Sequence, residues 1–164
     1  MWLRSGVTGG QKLVEFLGEM PEALQYLTKD LSSEELKKKP SEKEFSVLEH
    51  VWHLSDIESE GYSVRIEKLL TEDQPVLRDI DGGKLALERG YNNLNLAAGL
   101  EAFTHARRGN IRRIKALSLE QLDRRGIFEH AGPVTLERVI LMMREHDEAH
   151  RRELNDMAYL FDIS

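Results

Sequence analysis

The chain has no cysteine among its 164 residues. That removes disulfides, thiolate metal ligands and cysteine nucleophiles, and it is compatible with a reducing compartment. Long apolar runs are missing too. Nothing approaches the roughly 18 residues of a membrane span, and Met1 to Gly10 has neither the basic start nor the apolar core of a secretory signal. The 23 Lys plus Arg stand against 29 Asp plus Glu, a formal charge of -6, with no basic stripe of the kind that attracts nucleic acid or an anionic membrane. Lys37-Lys38-Lys39 is short enough to be a solvated helix end favoured by the helix dipole. The expectation is a cytoplasmic protein with no nucleic-acid and no membrane partner.

Several catalytic signatures are also lacking. Gly9-Gly10 and Gly82-Gly83 are not followed by a phosphate-loop or dinucleotide pattern. The serines have no hydrolase-type setting. His146-Asp147-Glu148-Ala149-His150 is not the His-Glu-x-x-His arrangement of a metalloprotease. Paired Glu-x-x-His motifs of a di-iron bundle do not occur. No alternating β-branched run is long enough to demand a sheet.

What the chain does have is helical periodicity. Leu13, Phe16, Leu17, Met20, Leu24 and Leu27 mark a first helix over 9–29, with Pro21 as a kink or break. Ser32 with Glu35 is a capping box before a short helix. Ser41 with Glu44 makes another, ahead of a second long helix over 42–70 that carries Phe45, Leu48, Trp52, Tyr62, Ile66 and Leu69; Gly61 need not divide it. A long crossover over 71–91, punctuated by Pro75, Gly82, Gly83 and Gly90, leaves room for neighbouring long helices to run parallel. The third long helix spans 92–117, with Gly109-Asn110 as a weak spot. Ser118 with Gln121 caps a short turn, and 128–133 reads as a loop carrying His130. The lead-in over 1–8 offers Trp2 and Leu3 for packing.

The last helix is the most strongly patterned. From Thr135 onward Leu136, Ile140, Met143, Asp147, His150, Leu154, Met157 and Phe161 recur at steps of three and four, giving one helix about 38 Å long. Four long amphipathic segments without strands predict an all-α four-helix bundle forming a single domain over 1–164.

His146 and His150, four residues apart, project from one helix face within reach of one ion. A third imidazole must come from His50 or His53, and a helical wheel places both away from the apolar direction of the second helix, so a buried, fully apolar setting is not predicted for either, and the polar mouth of a bundle and the surface both fit. Three neutral imidazoles would suit a divalent ion and leave a position for water or substrate. Zn, Ni and Fe(II) all accept imidazole. Glu49, Glu60 or Asp147 could orient a ligand or a bound water, and Asp147 could instead pair with a basic residue of another helix.

Three segments together resemble the DinB/YfiT-like metalloprotein superfamily. They are Phe45-Ser46-Val47-Leu48-Glu49-His50-Val51-Trp52-His53-Leu54, then Gly132-Pro133-Val134-Thr135-Leu136 following His130, and His146-Asp147-Glu148-Ala149-His150. The likeness runs from the first helix to about residue 160. It implies a DinB/YfiT-type bundle with the long crossover between the second and third long helices, and His53, His146 and His150 as metal ligands with His50 beside them. It also implies a homodimer and, in characterised relatives, transfer or isomerisation chemistry using a low-molecular-weight thiol. The expected function is a metal-dependent transferase or hydrolase acting on a small electrophile, with Glu49, Asp147, Arg65 and His130 as candidate catalytic or substrate-contacting residues. The alternative is a non-catalytic, metal-stabilised homodimeric stress or scaffold protein.

Overall fold

Helices form where apolar residues recur at helical spacing, and capping residues set where they begin. The computed structural model describes residues 7–160; Trp2, Leu3 and Phe161 lie outside the described residues. Helix α1 spans Val7–Thr28, and the capped turn α2 spans Ser33–Lys37 behind the Ser32/Glu35 capping box. The second long helix has three joined parts: α3, Val47–Asp56, a π-helical segment, Ile57–Tyr62, and α4, Ser63–Thr71. After strand β1, Val76–Leu77, come α5, Gly82–Arg89, α6, Leu96–Lys115, and α7, Leu119–Leu122. Strands β2, Arg125–Phe128, and β3, Gly132–Thr135, lead directly into α8, Leu136–Leu160.

Two expectations need correction. The second helix starts five residues later than its first capping signal suggests, because Ser46 accepts from the Glu49 N–H and Glu49 reaches back to Ser46. The segment 128–133 is not a plain loop, since β2 and β3 form a hairpin and β1 adds to β2 in parallel. These strands are too short, and too rich in Gly and Pro, to show alternation. At Gly109-Asn110, where a bend and a clean continuation were equally open, α6 continues without interruption.

Pro21 does not break α1 either. Proline cannot donate to the carbonyl four residues earlier, and the Leu17 carbonyl instead accepts a 2.9 Å hydrogen bond from Arg107 Nη1.

The long helices pack in a ring: α1 on α6, α6 on α3/α4, α3/α4 on α8, and α8 on α1. Trp52 lies over Gly99 and Glu58 meets Arg107, so α3/α4 and α6 run parallel, as the crossover between them permits. His50 beside His150 and Tyr62 beside Met142 make α8 antiparallel to α3/α4.

A charged layer cuts the core into two apolar clusters. Arg107, 1 % exposed, uses all five N–H groups. Two go to Glu58, both at 2.9 Å, two to Asp147 at 2.5 and 2.8 Å, and the fifth to the Leu17 carbonyl. Burial opposes the guanidinium charge, but Glu58 and Asp147 override it and hold its pKa above the usual arginine value. Asn110 adds a 2.9 Å bond to Glu58. The π segment brings the Ser63 N–H to the Glu58 carbonyl.

Removing one member of a buried ion cluster strands the others, whereas replacing the whole cluster by apolar groups is often neutral. Arg107→Met should therefore lower unfolding free energy by about 3–5 kcal/mol in urea melts. The triple variant Arg107→Met/Glu58→Leu/Asp147→Leu should recover most of that loss. Unchanged stability in the single variant would contradict the clamp.

Candidate metal centre

Residues four apart on a helix share a face, and α8 uses this to aim His146 and His150 toward α3. The α8 stripe is buried at Leu136, Ile140, Met143, Asp147, His150, Leu154 and Met157, as its spacing predicts. From the facing helix come His50 and His53. His53 Nε2 lies 3.1 Å from His146 Nε2, and His146 Nε2 lies 3.0 Å from His150 Nε2. One ring nitrogen from each of His53, His146 and His150 falls within 4.8 Å of the other two. Donors at about 2.0–2.1 Å from a shared zinc ion are at most about 4.2 Å apart, so the trio fits one ion with small adjustments.

The helical wheel left a polar-mouth and a surface position open, and the structure buries both rings at the cleft: His50 is 2 % and His53 9 % exposed. The wheel's apolar direction averaged α3 with α4, and the π segment between them rotates one face relative to the other. The crossover also covers α3, where Gly82 sits against the His53 ring. A Cβ on Gly82 would lie 2.4 Å from His53 Cε1. Phe45 packs on both α3 imidazoles, at 5.5 Å from His50 and 5.0 Å from His53.

Burial, followed by neighbouring imidazoles, lowers the pKa values to about 3 for His50, about 4 for His53, about 2 for His146 and about 3 for His150. All four rings are therefore neutral near pH 7, the protonation state a metal ligand requires. His53 Nδ1 is buried without a hydrogen-bond partner. These residues make a candidate divalent-metal site. A second trio, His50, His150 and Glu153, overlaps it through His150.

The candidate catalytic residues lie elsewhere. Glu49 caps α3 and pairs with Lys39 at 3.2 Å. Asp147 is held by Arg107, the interhelix salt bridge already open to it. Arg65 donates to the Arg78 carbonyl at 3.0 and 3.2 Å and stacks on Tyr62 and Phe128. His130 is exposed, with φ 65 at the β2–β3 turn. Glu60, weighed as an orienting group, is bound by Arg89 at 2.7 Å.

Sequence reasoning missed Arg107, Glu58 and Gly82. The signal was present for Arg107, which stands on α6 four residues after the apolar Phe103 and four before the apolar Ile111. Gly82 reaches the site only through the tertiary course of the crossover.

Two outcomes follow from this geometry. Gly82→Ala must displace His53 and should weaken Zn2+ binding about ten- to a hundredfold in chelator competition, while Gly83→Ala, whose Cβ would meet nothing closer than 3.6 Å, leaves it unchanged. The metal-free chain should lose stability as pH falls below about 6.5, because the unfolded histidines take up protons that the folded ones, with pKa values near 2–4, refuse. Urea melts between pH 7 and 4.5 measure this, and a flat or rising profile would contradict it.

A sequence profile of the DinB superfamily matches residues 17–154. No curated protein matches the sequence. Among solved structures, YfiT from Bacillus subtilis, described as a probable metal-dependent hydrolase with an unusual four-helix bundle topology, superposes with a TM-score of 0.88 at 18% identity, covering 96% of this chain and 90% of its own. That likeness bears on the fold. The profile match spans most of the 164 residues, and this chain belongs to the DinB superfamily.

Proposed function

We propose that the chain is a divalent-metal-dependent enzyme that joins a small electrophile to a nucleophile, either a low-molecular-weight thiol or water. The observation that carries this reading is the convergence of the His53, His146 and His150 ring nitrogens beside an open cleft of about 540 Å³ lined by His53 and His150. A buried structural site would have no such access. YfiT's description as a probable metal-dependent hydrolase is consistent with it.

His53, His146 and His150 would hold the ion, with Zn, Ni and Fe(II) all suited to imidazole. When bound, such an ion supplies Lewis acidity that lowers the pKa of a thiol or water and polarises an electrophile. The chain's own residues divide the remaining work. Phe45, Met157 and Leu160 form an apolar wall that would take the apolar part of a substrate and exclude water beside the imidazoles. Lys43, Glu44, Glu153 and Asp156 form the polar rim, which would orient charged groups. Burial, together with Glu44, raises the Glu153 pKa above the usual carboxylate value.

One observation favours a second reading, in which the ion only ties α3 to α8 in a stress or scaffold protein. Glu49, Asp147, Arg65 and His130 are all engaged or placed away from the cleft lining. The two readings separate on one set of proteins. Freshly purified wild-type chain should carry close to one metal ion and convert small electrophiles with a thiol or water, and His146→Ala should lose both properties. Full metal occupancy with no turnover across such a screen, and a lower Tm in His146→Ala, would favour the scaffold. Metal-free wild-type protein that gains no stability from added Zn2+, Ni2+ or Fe2+ would refute both.

A further inference from the structure

The proposed trio leaves His50 without a task, although it is nearly completely buried. His50 Nδ1 lies 2.9 Å from His150 Nδ1. Its other nitrogen, Nε2, lies 3.5 Å from Glu153 Oε2, and the same oxygen is 3.6 Å from His150 Nδ1. Glu153 stands at the cleft edge, half exposed. His150 thus faces the candidate metal position with one nitrogen and a buried imidazole plus a carboxylate with the other.

A neutral imidazole has one N–H and one lone pair, so of the four tautomer combinations only two place an N–H of one ring against the lone pair of the other at the Nδ1–Nδ1 contact. In one, His150 Nδ1–H donates to His50 Nδ1, and the His50 proton sits on Nε2, toward Glu153. In the other, His50 Nδ1–H donates to His150, whose proton then sits on Nε2 and blocks the lone pair that faces His146 and His53. This second sense also sets the His50 Nε2 lone pair against a carboxylate oxygen. An ionised carboxyl only accepts hydrogen bonds, so Glu153 favours the first sense at both rings.

Resting on the metal-site reading above, we infer that His50 and Glu153 form a relay that fixes the His150 tautomer, keeping its Nε2 lone pair free for a cation. His50 is thereby a positioning residue, lying between a metal-facing histidine and the carboxylate that orients such ligands in metal centres generally. The relay serves one imidazole of the trio. His53, held by Gly82 and Phe45, has no partner on its own Nδ1.

The test uses the full chain with Zn2+ alone as probe. In metal-free protein at pH 7, long-range 1H–15N correlation spectra should show His150 protonated on Nδ1 and His50 on Nε2; the reverse tautomers would overturn the relay. His50→Leu removes the acceptor and should weaken Zn2+ about ten- to a hundredfold, His50→Gln, which keeps an acceptor, should recover much of that loss, and Glu153→Gln on the surface should show an intermediate loss. Far-ultraviolet circular dichroism confirms that each variant is folded, and the Glu153 variant keeps the test open if His50→Leu is not. Wild-type Zn2+ affinity in folded His50→Leu and Glu153→Gln would overturn the relay while leaving the metal site standing. Two Zn2+ per chain in the wild type, reduced to one in Glu153→Gln, would overturn it as well, because His150 Nδ1 would then be a ligand in the second trio. No Zn2+ binding by the wild type, with the expected tautomers present, would instead refute the metal-site reading alone.

Discussion

The site depends on one side chain that does not touch it. Arg107 spans the core from α6 and spends its five N–H groups on three other long helices: Glu58 on the second, Asp147 on α8 and the Leu17 carbonyl on α1. A planar guanidinium that binds two carboxylates bidentately fixes direction as well as distance. Rotating α8 or sliding α3/α4 would break two charge-assisted bonds in a dry interior, where an unpaired charge is costly. The register between these helices is therefore set by charge geometry more than by the apolar clusters on either side, whose Leu and Met contacts tolerate small shifts.

Asp147 lies next to His146 and three residues before His150, and Glu58 lies five residues after His53. Once Arg107 has fixed those two carboxylates, the α8 pair and the α3 pair of imidazoles face each other. Pro21 serves the same end, since a helix without that proline would pair the Leu17 carbonyl internally. The π segment gives Glu58 its place and changes the face that α3 shows relative to α4. A two-residue metal motif on one helix thus becomes a four-imidazole cluster through features placed one turn away.

Much of this was legible in the sequence, and the rest was hidden for identifiable reasons. The α8 stripe correctly put Asp147 and His150 on the buried face, since a regular helix obeys its period. Ser32/Glu35 and Ser118/Gln121 formed the expected capping boxes. Ser41/Glu44 did not start the second long helix, because the same chemistry recurs five residues on at Ser46/Glu49, and local pattern alone does not choose between them. A surface position stayed open for His50 and His53 because a wheel assumes a constant turn angle, which the π segment violates. Gly82 approaches His53 through a crossover whose course no local signal specifies. The three-stranded sheet escaped notice because its strands hold two to four residues.

Imidazoles from α3 and α8 are proposed to grip one divalent ion beside the layer that Arg107 organises. X-ray absorption at the zinc edge of the Zn2+-loaded chain tests this most directly. The expected result is a first shell at about 2.0–2.1 Å with outer-shell scattering from three imidazole rings, falling to two in His53→Ala. A shell of oxygen atoms without imidazole scattering, or a spectrum unchanged by that substitution, would contradict it.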